Sequence, residues 1–218
     1  MTHPAPLLTC LLADPSAAEH YRPERLDAAD RRRAAATPAI TKRIDWQSSR
    51  YLKQQADASV VSLSHSRGYA AVLTAHTALR AGVDIEAVRP RDFAALAAWV
   101  CSPQEQAFLQ QSPQRDTDFY RLWCIKEALL KASGGQFPAD MAQAGYLFNA
   151  HAHPCGLHTK GQIWQGISAR LGETHMVACV WQGHAPPPEW RFYGALTPAS
   201  LRDITYWPPC EAVSPNCR

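Results

Sequence analysis

Two acids stand two residues apart in Gly82-Val-Asp-Ile-Glu86, and a third stands between two lysines in Lys126-Glu127-Ala-Leu-Leu-Lys131. Side chains alternate along a strand, so Asp84 and Glu86 share one face while Val83 and Ile85 take the other. Like charges held side by side repel unless a cation lies between them. A hard divalent cation is the economical answer. Mg²⁺ takes one or two carboxylates and leaves its other positions to water and substrate phosphate oxygens. The same two acids at an ordinary strand end would simply be solvated. Glu127 and Lys131 are four apart and share a helix face. On a polar helix they would be a surface ion pair worth about 0.3–0.5 kcal/mol. Here the charges interrupt an apolar run that includes Trp123, Leu129 and Leu130, an unusual place to leave charge without a use.

The elements that must position these residues are visible as pattern. Val60–Ser66 alternates in the strand manner, Arg67-Gly68 makes a tight turn, and Tyr69–Ala75 returns as an apolar strand. Gly82–Glu86 is a further strand, broken by Arg89-Pro-Arg91. Phe93–Val100 reads as a short apolar helix. Ser102-Pro103 reads as an N-cap with proline at the first helical position of Gln104–Gln110. Asp116–Ala132 is the clearest helix. It has acids in its first turn, apolar residues at three- and four-residue steps, and Gly134-Gly135 at its end. Pro15–Ala36 reads as helical and Asp45–Ala56 as a second short helix. Gln162–Leu171 and Thr174–Trp181 form a second hairpin. The Leu7–Leu12 run, with no basic stretch before it, reads as a first strand and not as a signal peptide. Helices plus an apolar hairpin in each half hint at an internal duplication with a boundary near Pro90.

Composition narrows the class. The chain has 218 residues, 46% of them hydrophobic and 19% charged, with seven Trp, seven Tyr and six Phe, which suits a packed core and excludes bulk disorder. No apolar stretch approaches the ~20 residues of a membrane span. A net charge of +3 makes no global demand for nucleic acid. Locally, Arg22, Arg25, Arg31, Arg32, Arg33, Lys42, Arg43 and Arg50 crowd the first quarter, giving a basic region with room for a phosphate-rich ligand, or else a solvated helix face. The seven Cys residues have no Cys-x-x-Cys pair, which argues against a disulfide framework or a structural zinc and for reduced thiols in a cytoplasmic protein.

Ser62-Leu-Ser-His-Ser66, Gly82-Val-Asp-Ile-Glu86 and Phe119-Tyr-Arg-Leu-Trp-Cys-Ile-Lys-Glu-Ala-Leu-Leu-Lys131, in this order, resemble the three signature motifs of the 4′-phosphopantetheinyl transferases. The chain length resembles the Sfp-type members and not the half-sized trimeric holo-acyl-carrier-protein synthases. The resemblance implies an α+β fold of two similar subdomains forming a pseudo-dimer with the active site between them. The expected division is residues 1–90, residues 91–185, and a Pro-rich tail, 186–218, packing on the surface. It implies transfer of the phosphopantetheine arm of coenzyme A to a serine of an acyl carrier protein or peptidyl carrier domain, by a monomer with no membrane or nucleic-acid partner. Carried over, Asp84, Glu86 and Glu127 resemble the ligands of Mg²⁺, with Mn²⁺ as substitute. His65, with Ser64 beside it, resembles the contact to the coenzyme A 3′-phosphate. Lys126 and Lys131 resemble phosphate-contacting lysines, and Glu105 a glutamate lining the active site. Arg43 and Arg50 lie where the family has basic residues on coenzyme A phosphates. Glu127 fits either metal ligation or acceptance of the serine proton, and Lys131 either charge neutralisation or proton donation.

Other residues are left without a role. His151 and His153 sit in a loop-like stretch and lack the further ligands a zinc ion needs, and His76 reads as a polar strand end. Two rival functions share part of the chemistry. A metal-dependent nuclease uses the same acids and lysine, but its usual lysine follows the second acid by two residues, where this chain has Val88. A non-catalytic carrier-binding module would have no need of the intact acids and Lys131.

Overall fold

The structure, a computed structural model, describes residues 7–209. The first part of the chain supplies β1 (Leu8–Ala13), α1 (Ala28–Ala36), α2 (Ile44–Gln55), β2 (Ser59–Ser66), β3 (Tyr69–Ala75) and β4 (Ala81–Ala87). Three helices follow: α3 (Phe93–Val100), α4 (Pro103–Gln111) and α5 (Arg115–Ser133). The remaining strands are β5 (Ala144–Phe148), β6 (Pro154–Thr159), β7 (Gln162–Leu171), β8 (His175–Trp181), β9 (Glu189–Tyr193) and β10 (Leu201–Trp207). The class is α+β, as expected.

The strands build two sheets. One has the order β2-β3-β1-β9, antiparallel except that β9 runs parallel to β1. The other has the order β4-β8-β7-β6-β5, with β10 also pairing with β7. Although β4 precedes Pro90, it hydrogen-bonds to β8 along its whole length, from Ala81 opposite Trp181 to Ala87 opposite His175. The β2–β3 turn places Arg67 and Gly68 both at positive φ, 49° and 86°, the backbone shape that matches strand twist in a two-residue hairpin.

The alternation along β4 holds. Val83 and Ile85 are fully buried in an apolar cluster shared with β1, β3, β7 and β8. The opposite face meets α5, whose Leu122, Ile125 and Leu129 belong to a second cluster with β5, β6 and β8. Contact between α5 and β4 is close. A Cβ on Gly82 would lie 2.1 Å from the carbonyl oxygen of Ala128, so only glycine lets the strand lie against the helix backbone here. α5 ends at Gly134, φ 70°, whose N–H donates to the Leu130 carbonyl, the left-handed cap that its glycine pair leads one to expect.

Three expectations about elements need correction. Pro15–Ala36 is not one helix. It is two short 3-10 turns, Pro15–His20 and Pro23–Arg25, followed by α1, because Pro23 lacks the N–H a continuing helix needs. β5 and β6 were not foreseen. The Pro-rich tail, for which no strand was expected, carries β9 and β10 in its described part. Trp190 and Phe192 pack on the first sheet's core, and Trp207 is buried in the second. Cys10, Cys101, Cys124 and Cys179 are buried thiols, whereas Cys210 and Cys217 lie outside the described residues. Among the described residues no helix is long and apolar enough to cross a membrane.

Gly82→Ala is expected to lower the midpoint of thermal unfolding by roughly 6–12 °C, since forcing a methyl against a backbone carbonyl costs about 3 kcal/mol. Differential scanning calorimetry checks this, and an unchanged midpoint would mean that β4 and α5 are not in such close contact.

Candidate active site

The β4–α5 contact brings together residues 47 positions apart. Lys131 Nζ lies 2.7 Å from Asp84 Oδ1 and 3.2 Å from the Val83 carbonyl oxygen. Asp84 is 3% exposed, and its second oxygen, Oδ2, is buried with no hydrogen-bond partner. Glu86 and Glu127 lie close enough to Asp84 and Lys131 to feel their charges. Burial pushes the Glu127 carboxyl up to about 7; repulsion from Asp84 and Glu86 adds to this and Lys131 opposes it. The Glu86 carboxyl is also held above the usual carboxylate range, by burial first and Asp84 second.

The strand β2 completes this cluster through three serines, of which sequence reasoning gave a role only to Ser64, and a different one. Ser62, Ser64 and Ser66 alternate and therefore face one way. The Ser62 hydroxyl accepts from the Val83 N–H at 3.0 Å, Ser64 donates to Asp84 Oδ1 at 2.7 Å, and Ser66 donates to Glu86 Oε2 at 3.0 Å. Their period of two in Ser62-Leu-Ser-His-Ser66 was the available signal. Ser64, expected beside a bound phosphate, instead orients Asp84, because neighbours on a strand point to opposite faces. A further tie comes from His175, which stacks on Tyr69 at 3.9 Å and has Nε2 3.1 Å from the Ser66 carbonyl oxygen. Burial holds its imidazole down at about 4, so it is neutral across the physiological range.

On the other side of β2, His65 lines a cavity of about 440 Å³ with Arg33, Ile40, Trp46 and Arg50. Arg50 is 5% exposed. It pairs with Asp30 at 2.9 Å, its guanidinium stacks 3.9 Å from the Trp46 ring, and its Nε has no partner. Burial lowers the His65 imidazole's affinity for a proton, with Arg50 and Arg43 adding to that and Asp45 opposing. Arg43 itself is exposed and pairs with Asp45 at 3.2 Å. The structure therefore brings His65, Arg50 and Arg43 into one neighbourhood and adds Arg33, which the sequence showed only as part of a basic stretch.

Two expected site residues lie elsewhere. Lys126 is fully buried, and its ammonium lies 2.7 Å from Glu105 Oε2, donates to the Met141 carbonyl at 2.9 Å, and donates to the Ala144 carbonyl. Glu105, 1% exposed, also accepts from the Ser102 N–H at 2.8 Å and the Tyr146 N–H at 3.1 Å. Three donors inside the protein occupy its two oxygens, and both side chains are buried. The pair fastens the α4 N-terminus and β5 to α5. Gly145, at φ +144°, leaves it room, since a Cβ there would come within 1.9 Å of Glu105 Oε1. Ser102-x-x-Glu105 is the spacing of a capping box, which was the signal for this role.

Among the described residues, no three His, Cys, Asp or Glu side chains already converge as a metal-ligand set. The donors nonetheless suit a hard cation: all are carboxylate oxygens, they repel one another, and Asp84 Oδ2 is buried without a partner. The 4′-phosphopantetheinyl transferase superfamily model matches residues 80–192, more than half of the chain, from the start of β4 through β8 and most of β9. The chain belongs to the 4′-phosphopantetheinyl transferase superfamily, and is thus a transferase of the class that moves phosphopantetheine from coenzyme A to carrier proteins. No curated protein matches it.

A pH dependence follows from Glu127. Its carboxyl titrates near 4.5 when unfolded and about 7 when folded, so the folded chain holds this proton more tightly. The stability this adds is complete below the lower value and is lost as pH rises through the upper one. In metal-free buffer, wild type is expected to lose thermal stability relative to Glu127→Gln between about pH 5 and about pH 8. Parallel melting curves for the two proteins would contradict the assignment.

Proposed function

We propose that this chain transfers the 4′-phosphopantetheine arm of coenzyme A to a serine of an apo-acyl carrier protein or peptidyl carrier domain, releasing adenosine 3′,5′-bisphosphate, and that the reaction depends on Mg²⁺ or Mn²⁺. The observation that carries this reading is the meeting of Asp84, Glu86, Glu127 and Lys131 across the β4–α5 contact, one residue along β2 from a cationic cavity. That cavity, with Arg33, Arg50 and His65 and with Arg43 close by, has the charge to hold the 3′-phosphate and adenosine end. The acid cluster is then left to the pyrophosphate.

The bond changes are few. The serine oxygen forms a bond to the phosphorus that carries the pantetheine arm. The bond from that phosphorus to the bridging oxygen breaks, and the oxygen leaves with the adenosine bisphosphate. Glu127, which meets Asp84 and Lys131 at this point, is matched to take the serine proton, directly or through water. Lys131, already directed at this point by Asp84, neutralises charge growing on the departing oxygen. Asp84 and Glu86, fixed by Ser64 and Ser66, would hold the divalent cation together with Glu127. When bound, the cation supplies charge neutralisation across the pyrophosphate.

The same reading takes the chain as a monomer of the Sfp type, with similar α+β halves at residues 1–90 and 91–185 and a Pro-rich tail, 186–218, packing on the surface. Asp84 comes from the first half and Glu127 from the second. Its buried thiols suit the reducing cytoplasm.

The test is incubation with Mg²⁺, coenzyme A and a panel of apo-carrier proteins, followed by mass spectrometry. The expected result is a carrier heavier by one phosphopantetheine and release of the bisphosphate. EDTA should abolish the transfer, and Asp84→Ala should slow it by about 10²–10³-fold. Full turnover in EDTA, or no modification of any carrier, would overturn the proposal.

A further inference from the structure

β2 and β4 stand side by side but belong to different sheets, so no backbone ladder sets their spacing. Side chains do. At one end Ser62 takes the Val83 N–H. At the other, the Ser66 hydroxyl accepts from the Ala87 N–H at 3.1 Å while it donates to Glu86 Oε2 at 3.0 Å. Ser66 is the last residue of β2, and β8 reaches it there. His175 of β8 lies opposite Ala87 on the β4–β8 ladder. Its Nε2 is 3.1 Å from the Ser66 carbonyl oxygen, and its ring lies 3.9 Å from that of Tyr69, the residue paired with Ser66 across the hairpin. The preceding residue, Thr174, accepts the Val88 N–H on its carbonyl at 2.7 Å. Thr174 and His175 therefore grip both the end of β4 and the end of β2, with Glu86 between.

The hydrogen bonds of His175 fix its tautomer. A carbonyl oxygen only accepts, so Nε2 carries the ring proton. Nδ1 lies 2.9 Å from the Thr174 hydroxyl and, in a neutral ring, accepts from it. Both nitrogens are thus engaged within the protein, and the residue is 3% exposed. His175 has no free proton to offer a substrate and no open face to meet one. What it does have is a hold on Ser66.

We infer that His175 is a positioning residue for the cation cluster: through the Ser66 carbonyl it keeps the Ser66 hydroxyl on Glu86, and so fixes where that carboxylate meets the cation. The inference rests on the cation role proposed above and adds a buried residue of β8 on which that role depends. Partners that orient a ligating carboxylate typically carry about 10–100-fold of the metal affinity. The coenzyme A cavity should be indifferent to His175. His65 and Ser66 are neighbours on a strand and point to opposite faces, and the cavity side of β2 is built by Arg33, Trp46 and Arg50.

Mn²⁺ binding to the full chain, read by electron paramagnetic resonance, tests this. His175→Leu should weaken binding about 10-fold. His175→Gln should recover most of the loss, because its amide can donate to the Ser66 carbonyl and accept from Thr174. Ser66→Ala should weaken binding by a similar factor, and adding His175→Leu to it should cost little more, since both act through one bond to Glu86. The dissociation constant for coenzyme A in metal-free buffer, measured by calorimetry, should be unchanged in His175→Leu. If His175→Leu fails to fold, Thr174→Val, at an exposed position, removes the hydroxyl that fixes the ring and should also weaken Mn²⁺ binding. Unchanged Mn²⁺ binding in the variant that folds, losses that simply add to those of Ser66→Ala, or an equal loss of coenzyme A affinity would overturn the positioning role and leave the cation cluster standing. A wild type that binds no Mn²⁺ would remove the cluster's cation, and the role of His175 with it.

Discussion

The close approach of α5 to β4 is the constraint from which the site follows. Gly82 leaves no side chain between the strand and the Ala128 carbonyl, and Glu127 lies one residue before that contact and Lys131 three residues after it. At this distance Lys131 reaches Asp84 and the Val83 carbonyl, and Glu127 feels both strand acids. A longer residue at position 82 would move the helix away, and the charges would become ordinary surface groups. The apolar faces do the holding. Val83 and Ile85 are locked into one core while Leu122, Ile125 and Leu129 are locked into another. The repulsion among three carboxylates is therefore resisted by packing well away from it.

Neighbouring charges on α5 have opposite fates, and this separates structure from chemistry. Lys126 faces inward and is matched by Glu105 and two backbone carbonyls. Its partners leave it nothing to offer a ligand, and removing either member would strand the other's charge in the core. Glu127, one position on, has repulsive neighbours on β4, and only Lys131 opposes them. A buried group whose charges are satisfied is a fastener, while an unsatisfied one, such as Asp84 Oδ2, is left ready for something to arrive. β2 divides labour in the same way. Its serines turn toward the acids and fix them, and His65 turns toward the cationic cavity.

Most of this was legible in the sequence where the signal was local. The two-residue period placed Asp84 and Glu86 on one face, and the Arg67-Gly68 turn and the Gly134 cap are written in residue types that backbone geometry demands. The burial of Lys126 was also readable, since its neighbours at three and four positions are Leu122, Leu129 and Leu130. The carried-over phosphate role hid it, as it hid the capping box of Glu105. β5 was harder to read, because Gly145 at φ +144° interrupts the alternation for the sake of a distant ion pair. β9 and β10 are short strands among prolines whose pairing with β1 and β7 is set by distant chain, not by local pattern. Arg33 joined the cavity for a similar reason, since only the packing of α1 beside α2 brings it to Arg50 and His65.

The central proposal is that acids from β4 and α5 together hold a divalent cation, next to a cavity proposed to take coenzyme A. Electron paramagnetic resonance of Mn²⁺ titrated into the protein with coenzyme A measures this without relying on turnover. The account predicts a single tightly bound Mn²⁺ per chain, lost in Asp84→Asn and again, separately, in Glu127→Gln. Binding that survives either substitution, or no bound Mn²⁺ in wild type, would contradict it.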